Sequence, residues 1–414
     1  MNVLLHTFGC KANQYDTEVV RQRLEDAGCA VVDDPGAADA AVVNSCTVTH
    51  VGEAKLRAWV RRLARRNPSI RTVVMGCAAA LDDGRLAALP GVAGVVGGAD
   101  AGAVARALGV AAGAEPELRR FASGSRAWLK IQDGCDEHCT FCATVLARGR
   151  GRSREPEALV REAALLARSH AEIVLTGVHI GTYGRDCGGP PLSALVARLI
   201  ERVDGVRFRL SSVEATEVDE PLVALMAQAP DRLAPHLHAP LQSGSDRVLK
   251  RMGRHWYTAT AYRAAIERLA ERVAPLGLGA DVIAGFPGET AADHDATLRA
   301  LEALPFTYLH VFPYSGREGT AAVRLGPAVE SAAVRERAAE LRELGAAREA
   351  AHRASRAGAR ADLVLESRRG GVRESVTEDY LTALLPADAA WVLGRARVAA
   401  RLVARGPALW AEAA

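Results

Sequence analysis

Runs of consecutive apolar residues alternate, over the first hundred positions, with stretches in which apolar residues recur every third or fourth place. The runs are VLLHTF (3–8), AAVVNS (40–45), TVVMG (72–76) and GVVGG (94–98). The periodic stretches are 13–27 and 53–66, the second amphipathic and rich in arginine. Strand and helix signals that alternate in this way predict βαβ units, hence a parallel sheet with helices on its faces. Cys10, Cys46 and Cys77 each follow one of the first three runs. Ligands of open parallel sheets gather beyond the carboxyl ends of the strands, so three cysteines far apart in sequence can meet at one edge.

A stretch rich in Ala, Gly, Glu and Arg at 111–126 reads as a linker, after which the alternation restarts. AWLKIQ (127–132), EIVLTG (172–177), VRFRLSS (206–212), HLHAPL (236–241), LGADVIAGF (278–286) and TYLHVFPY (307–314) are strand-like, with helical patterns near 157–169, 191–203, 219–228, 258–272 and 290–303. Six strand–helix units are too few for a complete (β/α)8 barrel, so an incomplete six-strand barrel is expected. Residues 331–357 form a charged, Ala-rich helical pattern. The tail reverts to β-like runs around Gly370-Gly371 and Gly394, which predicts a small all-β barrel of about fifty residues. The domains are expected at 1–112, 125–357 and 360–408.

The composition, 49% apolar and 24% charged over 414 residues, is that of a multidomain globular chain. Eight cysteines are too few for a disulfide-stapled secreted scaffold. MNVLLHTFGC lacks the charged and apolar regions of a signal peptide, and Pro90, Asp100 and Arg106 interrupt the most apolar stretch. No membrane partner and a reducing cytoplasm are expected, and there cysteines in motif spacing act as ligands rather than cystines. A net charge of +3 does not itself imply nucleic acid, although clustered arginines can.

The sharpest chemical signal is DGCDEHCTFC, which places Cys135, Cys139 and Cys142 as C-x3-C-x2-C directly after the first barrel strand. A thiolate metal site ordinarily takes four ligands, and the next cysteine is Cys187. One reading is a zinc knuckle completed by a histidine, although His138 is sandwiched between the ligands it would join. The other is a four-iron cluster with one iron open to a small molecule. The spacing suggests S-adenosylmethionine for that position, with Phe141 as a lid over the adenine.

C-x3-C-x2-C at this place resembles the radical S-adenosylmethionine superfamily. TFGCKANQYDTE (7–18), NSCTVTH (44–50) and MGCA (75–78) are similar to the three cysteine motifs of its methylthiotransferases. RLSSVE (209–214), LHAPLQSGSDRVLKRMGR (237–254), DVIAGFPGET (281–290) and HVFPYSGREGTA (310–321) are similar to that family's barrel motifs, and the tail resembles a TRAM domain. The fold this implies is a flavodoxin-like N-terminal domain, a partial (β/α)6 radical-SAM barrel and a small RNA-binding β-barrel. The resemblance implies two [4Fe-4S] clusters, one on Cys10, Cys46 and Cys77 and one on Cys135, Cys139 and Cys142. No catalytic side chain is expected beyond these ligands. It implies S-adenosylmethionine as cosubstrate, the anticodon stem-loop of a tRNA as substrate, and an electron donor such as flavodoxin or ferredoxin. Asn13-Gln14-Tyr15 with Glu18 resembles the branch acting on carbon 2 of N6-threonylcarbamoyladenosine. The family's other targets are isopentenyladenosine and a ribosomal-protein side chain. A non-catalytic RNA-binding protein with two zinc sites is the reading from another class.

Three stretches depart from the family pattern: ATVLARGRGRSR after Cys142, MGCAAA around Cys77, and an alanine within LHAPLQSG. Thr176 and Gly177, Ser212 and Glu214, Gln242 with Ser243 and Gly244, and Asp281 are expected to line the S-adenosylmethionine pocket. Strand-end capping and turn chemistry is their alternative role. Arg148, Arg150, Arg152 and Arg154 form a basic run expected to contact RNA phosphate, the alternative being a solvated face. Cys29 and Cys187 match no motif and read as a packed and a loop thiol.

Overall fold

The computed structural model describes residues 1–47, 50–111, 113, 117–122 and 124–414. Val48 and Thr49 of the CTVTH motif, and 112, 114–116 and 123 of the expected linker, lie outside the described residues. The N-terminal part runs β1 (Asn2–Thr7), α1 (Lys11–Asp26), β2 (Ala30–Val32), β3 (Ala40–Ser45), α2 (His50–Arg66), β4 (Arg71–Gly76), α3 (Cys77–Ala80), β5 (Val92–Gly97) and α4 (Ala101–Ala107). Its strands lie in the order β2-β1-β3-β4-β5, every neighbouring pair parallel. Every residue of β3 is buried, which is why it reads as an unbroken apolar run rather than an alternating one. The order reverses between β1 and β3, the place where a doubly wound sheet opens a crevice at its carboxyl edge.

The central part begins with β6 (Arg126–Lys130) and a small antiparallel pair, β7 (Gln132–Asp133) with β8 (Arg152–Ser153), which brackets α5 (Thr144–Arg148). It continues through α6 (Pro156–Ala167), β9 (Glu172–Thr176), α7 (Leu192–Arg202), β10 (Arg207–Leu210), α8 (Glu220–Gln228) and β11 (His236–His238). Next come α9 (Asp246–Arg251), α10 (Ala259–Ala270), β12 (Gly277–Ala284), α11 (Ala291–Ala303) and β13 (Tyr308–Pro313). Two parallel sheets, β6-β9-β10 and β11-β12-β13, are joined by bridges between Phe208 and Leu233 and between Ser212 and His238, so the six strands form one open arc. The helix α12 (Ser331–Arg356) covers the β13 edge, where a Cβ on Gly345 would come within 3.1 Å of the Leu309 side chain. An unpaired strand edge is thereby hidden from other chains. The stretch read as a linker is anchored. Leu118 and Phe121 are buried in one continuous core with Tyr15 and Val19 of α1 and Leu129 and Leu159 of the barrel.

The tail closes as β14 (Arg360–Arg369), β15 (Val372–Val376), β16 (Thr382–Pro386), β17 (Arg397–Arg405) and β18 (Ala408–Ala413), a barrel in the order β14-β15-β16-β18-β17 with its own core. It sits against the amino ends of the central strands. Glu172, at the start of β9 and fully buried, accepts from Arg207 Nε at 2.7 Å and from Arg209 Nε at 2.8 Å. Arg209 then donates to the carbonyls of Thr377 and Glu378, at 3.0 and 3.1 Å, and Arg207 to Asp362 at 3.0 Å. Tyr380, with φ +73°, stacks on His236 at 4.3 Å, and Arg126 pairs with Glu366. The tail is thus the floor of the central barrel rather than a free appendage. Burial alone would raise the Glu172 carboxyl, but Arg209 and Arg207 hold it well below the usual carboxylate range. Replacing Glu172 by Ala strands two buried guanidinium groups. The expected loss is about 3–5 kcal/mol of stability, read as a lower urea midpoint with earlier proteolysis of the tail, and an unchanged midpoint contradicts it.

Candidate metal centres and the cavity beside them

The N-terminal triplet stands at the carboxyl ends of β1, β3 and β4, across the point where the strand order reverses. Cys10 is the exposed N-cap residue of α1, with its Sγ 3.2 Å from Asn13 Oδ1. Cys46 is half-buried, and Cys77 is buried as the first residue of α3. Cys10 and Cys46 both lie within electrostatic reach of Cys77. Asn13 and Asn44 fix the loops that bring them together. Asn13 Nδ2 donates to Asn44 Oδ1 at 2.7 Å and to the Ser45 carbonyl at 3.0 Å, and Asn44 Nδ2 returns a bond to the Asn13 carbonyl at 2.8 Å. Gly76 holds φ +97°, and a Cβ there would meet Asn44 Oδ1 at 2.2 Å, so only glycine lets β4 turn into the cysteine.

The second triplet lies on the loop between β7 and α5. Its cysteines are half-buried, and His138 between them is exposed. The loop is held by its own backbone: Cys135 N donates to the Gly149 carbonyl at 3.0 Å, and Thr140 N to the Met252 carbonyl at 2.8 Å. Each triplet has a buried arginine on one sulfur. Arg148 Nε donates to Cys77 Sγ at 3.2 Å, and Arg254 Nη1 lies 3.6 Å from Cys139 Sγ. Burial pushes the Cys139 thiol up to about 12 and raises that of Cys77, in each case against the pull of its arginine. Cys135 Sγ faces His179 Nδ1 at 3.5 Å, and His179 Nε2 faces Glu217 at 2.9 Å. Burial opposes protonation of that imidazole, yet Cys135 and Glu217 hold it at about 10.

The donor chemistry fits iron–sulfur clusters. Thiolates with charged or N–H donors aimed at sulfur are the ligand set of such clusters. Arg317 Nε and Nη1 are buried beside Cys46 without a hydrogen-bond partner among the described residues, two donors that suit an anionic group held there. One tetrahedral zinc would draw its sulfurs to about 4 Å apart. Among the described residues, the only three-ligand set whose donor atoms lie within 4.8 Å of one another is His238, Asp281 and His310.

The four arginines after Cys142 separate. Arg148 is buried, and all three of its guanidinium nitrogens are engaged: Nε by Cys77, Nη1 by Asp133 at 2.9 and 3.0 Å, and Nη2 by Asp16 at 2.9 Å and Asn13 at 3.3 Å. It has no donor left for a phosphate, so its place in an RNA-contacting run is corrected to a bridge between the two cysteine sites. Arg154 reaches Tyr15 Oη at 2.9 Å and Glu162 at 2.7 Å. Arg150 and Arg152 are exposed, Arg150 with a 3.3 Å contact to Asp136 and Arg152 donating to the Arg148 carbonyl at 3.3 Å and the Arg150 carbonyl at 3.1 Å. Sequence cannot sort such a run, because the acids that claim two of its members lie on α1, β7 and α6.

The residues that mark the branch also lie in this seam. Gln14 accepts from Trp128 Nε1, Tyr15 Oη donates to Glu162 at 2.8 Å, and Glu18 accepts from Ala122 N at 3.1 Å.

A cavity of about 220 Å³ opens beside Cys142, lined by Phe141, Gln242, Asp281, Phe312 and Tyr314 among others. Phe141, Gln242 and Asp281 thus line one cavity. Thr176, Gly177, Ser212 and Glu214 are not among its lining residues. A Cβ on Gly177 would meet the Gln132 carbonyl at 2.5 Å, and Ser212 bridges to His238. Glu214 is buried against Arg254, and Ser243 and Gly244 pack on Thr297. Gln242 adopts φ +64°, which lets its N–H and carbonyl continue the ladder with β12. Sequence reasoning missed His238 and His310, which flank Asp281 Oδ1 at 2.9 and 3.3 Å, and Phe312, which is exposed at the mouth. Strand alternation held that signal, since Asp281 and Ile283 of β12 both line the cavity.

Residues 2–97 match the family described as "Uncharacterized protein family UPF0004", and 129–301 the radical SAM superfamily. The chain is 38% identical over 354 residues to the threonylcarbamoyladenosine tRNA methylthiotransferase MtaB of Bacillus subtilis, covering 81% of this chain and 78% of that one. The MtaB of Thermotoga maritima is 37% identical, over 82% and 81%. The tRNA-2-methylthio-N(6)-dimethylallyladenosine synthase of a Parafrankia strain is 34% identical, over 88% and 78%. Among solved structures, the radical S-adenosylmethionine methyltransferase TsrM of Kitasatospora setae shares the fold, with a TM-score of 0.58 at 17% identity over 75% of this chain and 72% of that one.

Burial alone would raise the Asp133 carboxyl, but Lys130 and Arg148 hold it at about 2. A depressed carboxyl stabilises the fold above its unfolded value, about 3.9, and that contribution is lost as the pH falls through the folded value. Asp133→Asn is therefore expected to cost about 2–3 kcal/mol at pH 7 and about half as much at pH 3. Urea midpoints of parent and variant at the two pH values measure this, and a cost that grows at pH 3 reverses the sign.

Proposed function

The chain belongs to the radical S-adenosylmethionine methylthiotransferase family, in its threonylcarbamoyladenosine branch, and from that premise we propose how its residues divide the reaction. It is a tRNA methylthiotransferase that adds a methylthio group to carbon 2 of N6-threonylcarbamoyladenosine beside the anticodon, using two [4Fe-4S] clusters and S-adenosylmethionine. In this reading Cys135, Cys139 and Cys142 hold the cluster that binds S-adenosylmethionine, and Cys10, Cys46 and Cys77 hold the cluster at which sulfur is delivered. When loaded, the first supplies the electron that cleaves S-adenosylmethionine to a hydrogen-abstracting radical, and the second supplies the inserted sulfur. The reading rests on one juxtaposition: the two triplets stand on the carboxyl edges of two different sheets, and Arg148, six residues beyond Cys142, reaches Cys77 Sγ.

The chain's own part is to position and to exclude water. Gln242 and Asp281 offer polar groups to a nucleoside in the cavity, and Phe141 an aromatic face. Phe312, exposed at the mouth, offers a surface on which a splayed base can stack. Arg150 and Arg152 carry the phosphate contact expected of the basic run, and the C-terminal barrel adds an RNA surface. An electron donor of the flavodoxin or ferredoxin kind and a cytoplasmic setting complete the proposal. No helix among the described residues is long and apolar enough to cross a membrane.

Two experiments test it. Cys139→Ala is expected to abolish cleavage of S-adenosylmethionine, whereas Cys46→Ala retains cleavage and loses methylthiolation. Deoxyadenosine release and tRNA nucleoside analysis read the two, and a Cys46→Ala protein that still methylthiolates tRNA defeats the division. Arg150→Gln with Arg152→Gln is expected to flatten the dependence of log affinity on log salt by about one slope unit per lost phosphate contact. Equal slopes return both residues to a solvated face.

A further inference from the structure

Arg148 is an expensive residue to bury. Its side chain is 4% exposed, and the acids that neutralise it, Asp16 and Asp133, are 2% and 18% exposed. Lys130 lies against the same two carboxylates, with its Nζ 2.9 Å from Asp133. Two cations and two anions thus balance, and the cluster would be neutral without any contact to sulfur. Yet the Nε–H is spent on Cys77 Sγ, at 3.2 Å, rather than on a carboxylate. Arg148 ends α5, directly beyond the second triplet, whereas Cys77 opens α3 of the N-terminal sheet. The bond therefore exists only when the two sheets are seated together.

We propose that Arg148 is a positioning residue for the N-terminal cluster: its N–H on Cys77 Sγ draws charge from that thiolate and raises the cluster's reduction potential, so that the potential of one centre depends on the seating of the other's loop. This rests on the two-cluster reading above. Hydrogen bonds to sulfur and local charge are among the protein's levers on iron–sulfur potentials. Lysine cannot replace the arrangement, because its single ammonium lacks the fork that meets two acids and a sulfur at once.

The test uses the full chain with Cys135, Cys139 and Cys142 all changed to Ala, loaded anaerobically, so that only the N-terminal cluster remains. Iron analysis of this parent comes first. If it holds no iron, the two-cluster reading and this inference fall together. Arg148→Gln, Arg148→Lys and Asp133→Asn are then added singly, and each midpoint is read by EPR during a redox titration. Arg148→Gln is expected to shift the midpoint negative, lowering the ratio of reduced to oxidised cluster at the parent's midpoint about tenfold, or about 59 mV for one electron. Arg148→Lys shifts it in the same direction by less. Asp133→Asn removes an anion and shifts it positive. An unchanged midpoint in iron-loaded Arg148→Gln overturns the inference, as does a negative shift in Asp133→Asn, which marks general loosening. If Arg148→Gln loses its iron, Arg148→Lys decides: a negative shift supports the inference and an unchanged midpoint overturns it.

Discussion

Charges taken out of water at the seam between the N-terminal sheet and the central barrel must all be paired there. Lys130 and Arg148 come from the barrel side with Asp133, and Asp16 from α1. Beside them Tyr15 joins Arg154 and Glu162. A buried ion without its partner costs several kcal/mol, so small displacements of one sheet against the other are resisted. An apolar seam could slide, because burial of apolar surface has no direction. The polar seam fixes an orientation, and that orientation brings Arg148, from the loop beyond one cysteine triplet, onto Cys77 of the other.

Much of this was legible in the chain. The run AAVVNS reports burial directly and coincides with β3 from end to end. The cysteine spacing after AWLKIQ is local chemistry and survives any error in element boundaries. Other features were hidden for identifiable reasons. The helix α4, AGAVARA, is so rich in small residues that it reads as a featureless apolar stretch, and β2 has only three residues at a sheet edge. The arginine run looks uniform because sequence lists neighbours along the chain, whereas burial of Arg148 is decided by Asp16, which is 132 positions away.

The branch-marking residues carry a related lesson. Gln14, Tyr15 and Glu18 read as substrate determinants, yet each bonds to the central part of the chain or to the anchored segment leading into it. In the structure they tie the N-terminal sheet to the rest of the chain. Glu162, which claims Tyr15, lies on α6, where nothing in the sequence sets it apart from other helical acids.

The floor under the central barrel has its own consequence. Tyr380 stacks on His236, and Tyr308 Oη bonds to His236 and to His238, whose Nε2 reaches Asp281 at the cavity wall. Stacked rings and hydrogen-bonded imidazoles thus run without a break from the tail to the cavity wall. A tail that shifts displaces Tyr380, and the displacement passes through His236, Tyr308 and His238 to the Asp281 carboxylate. The tail is therefore mechanically connected to the cavity although it lines none of it.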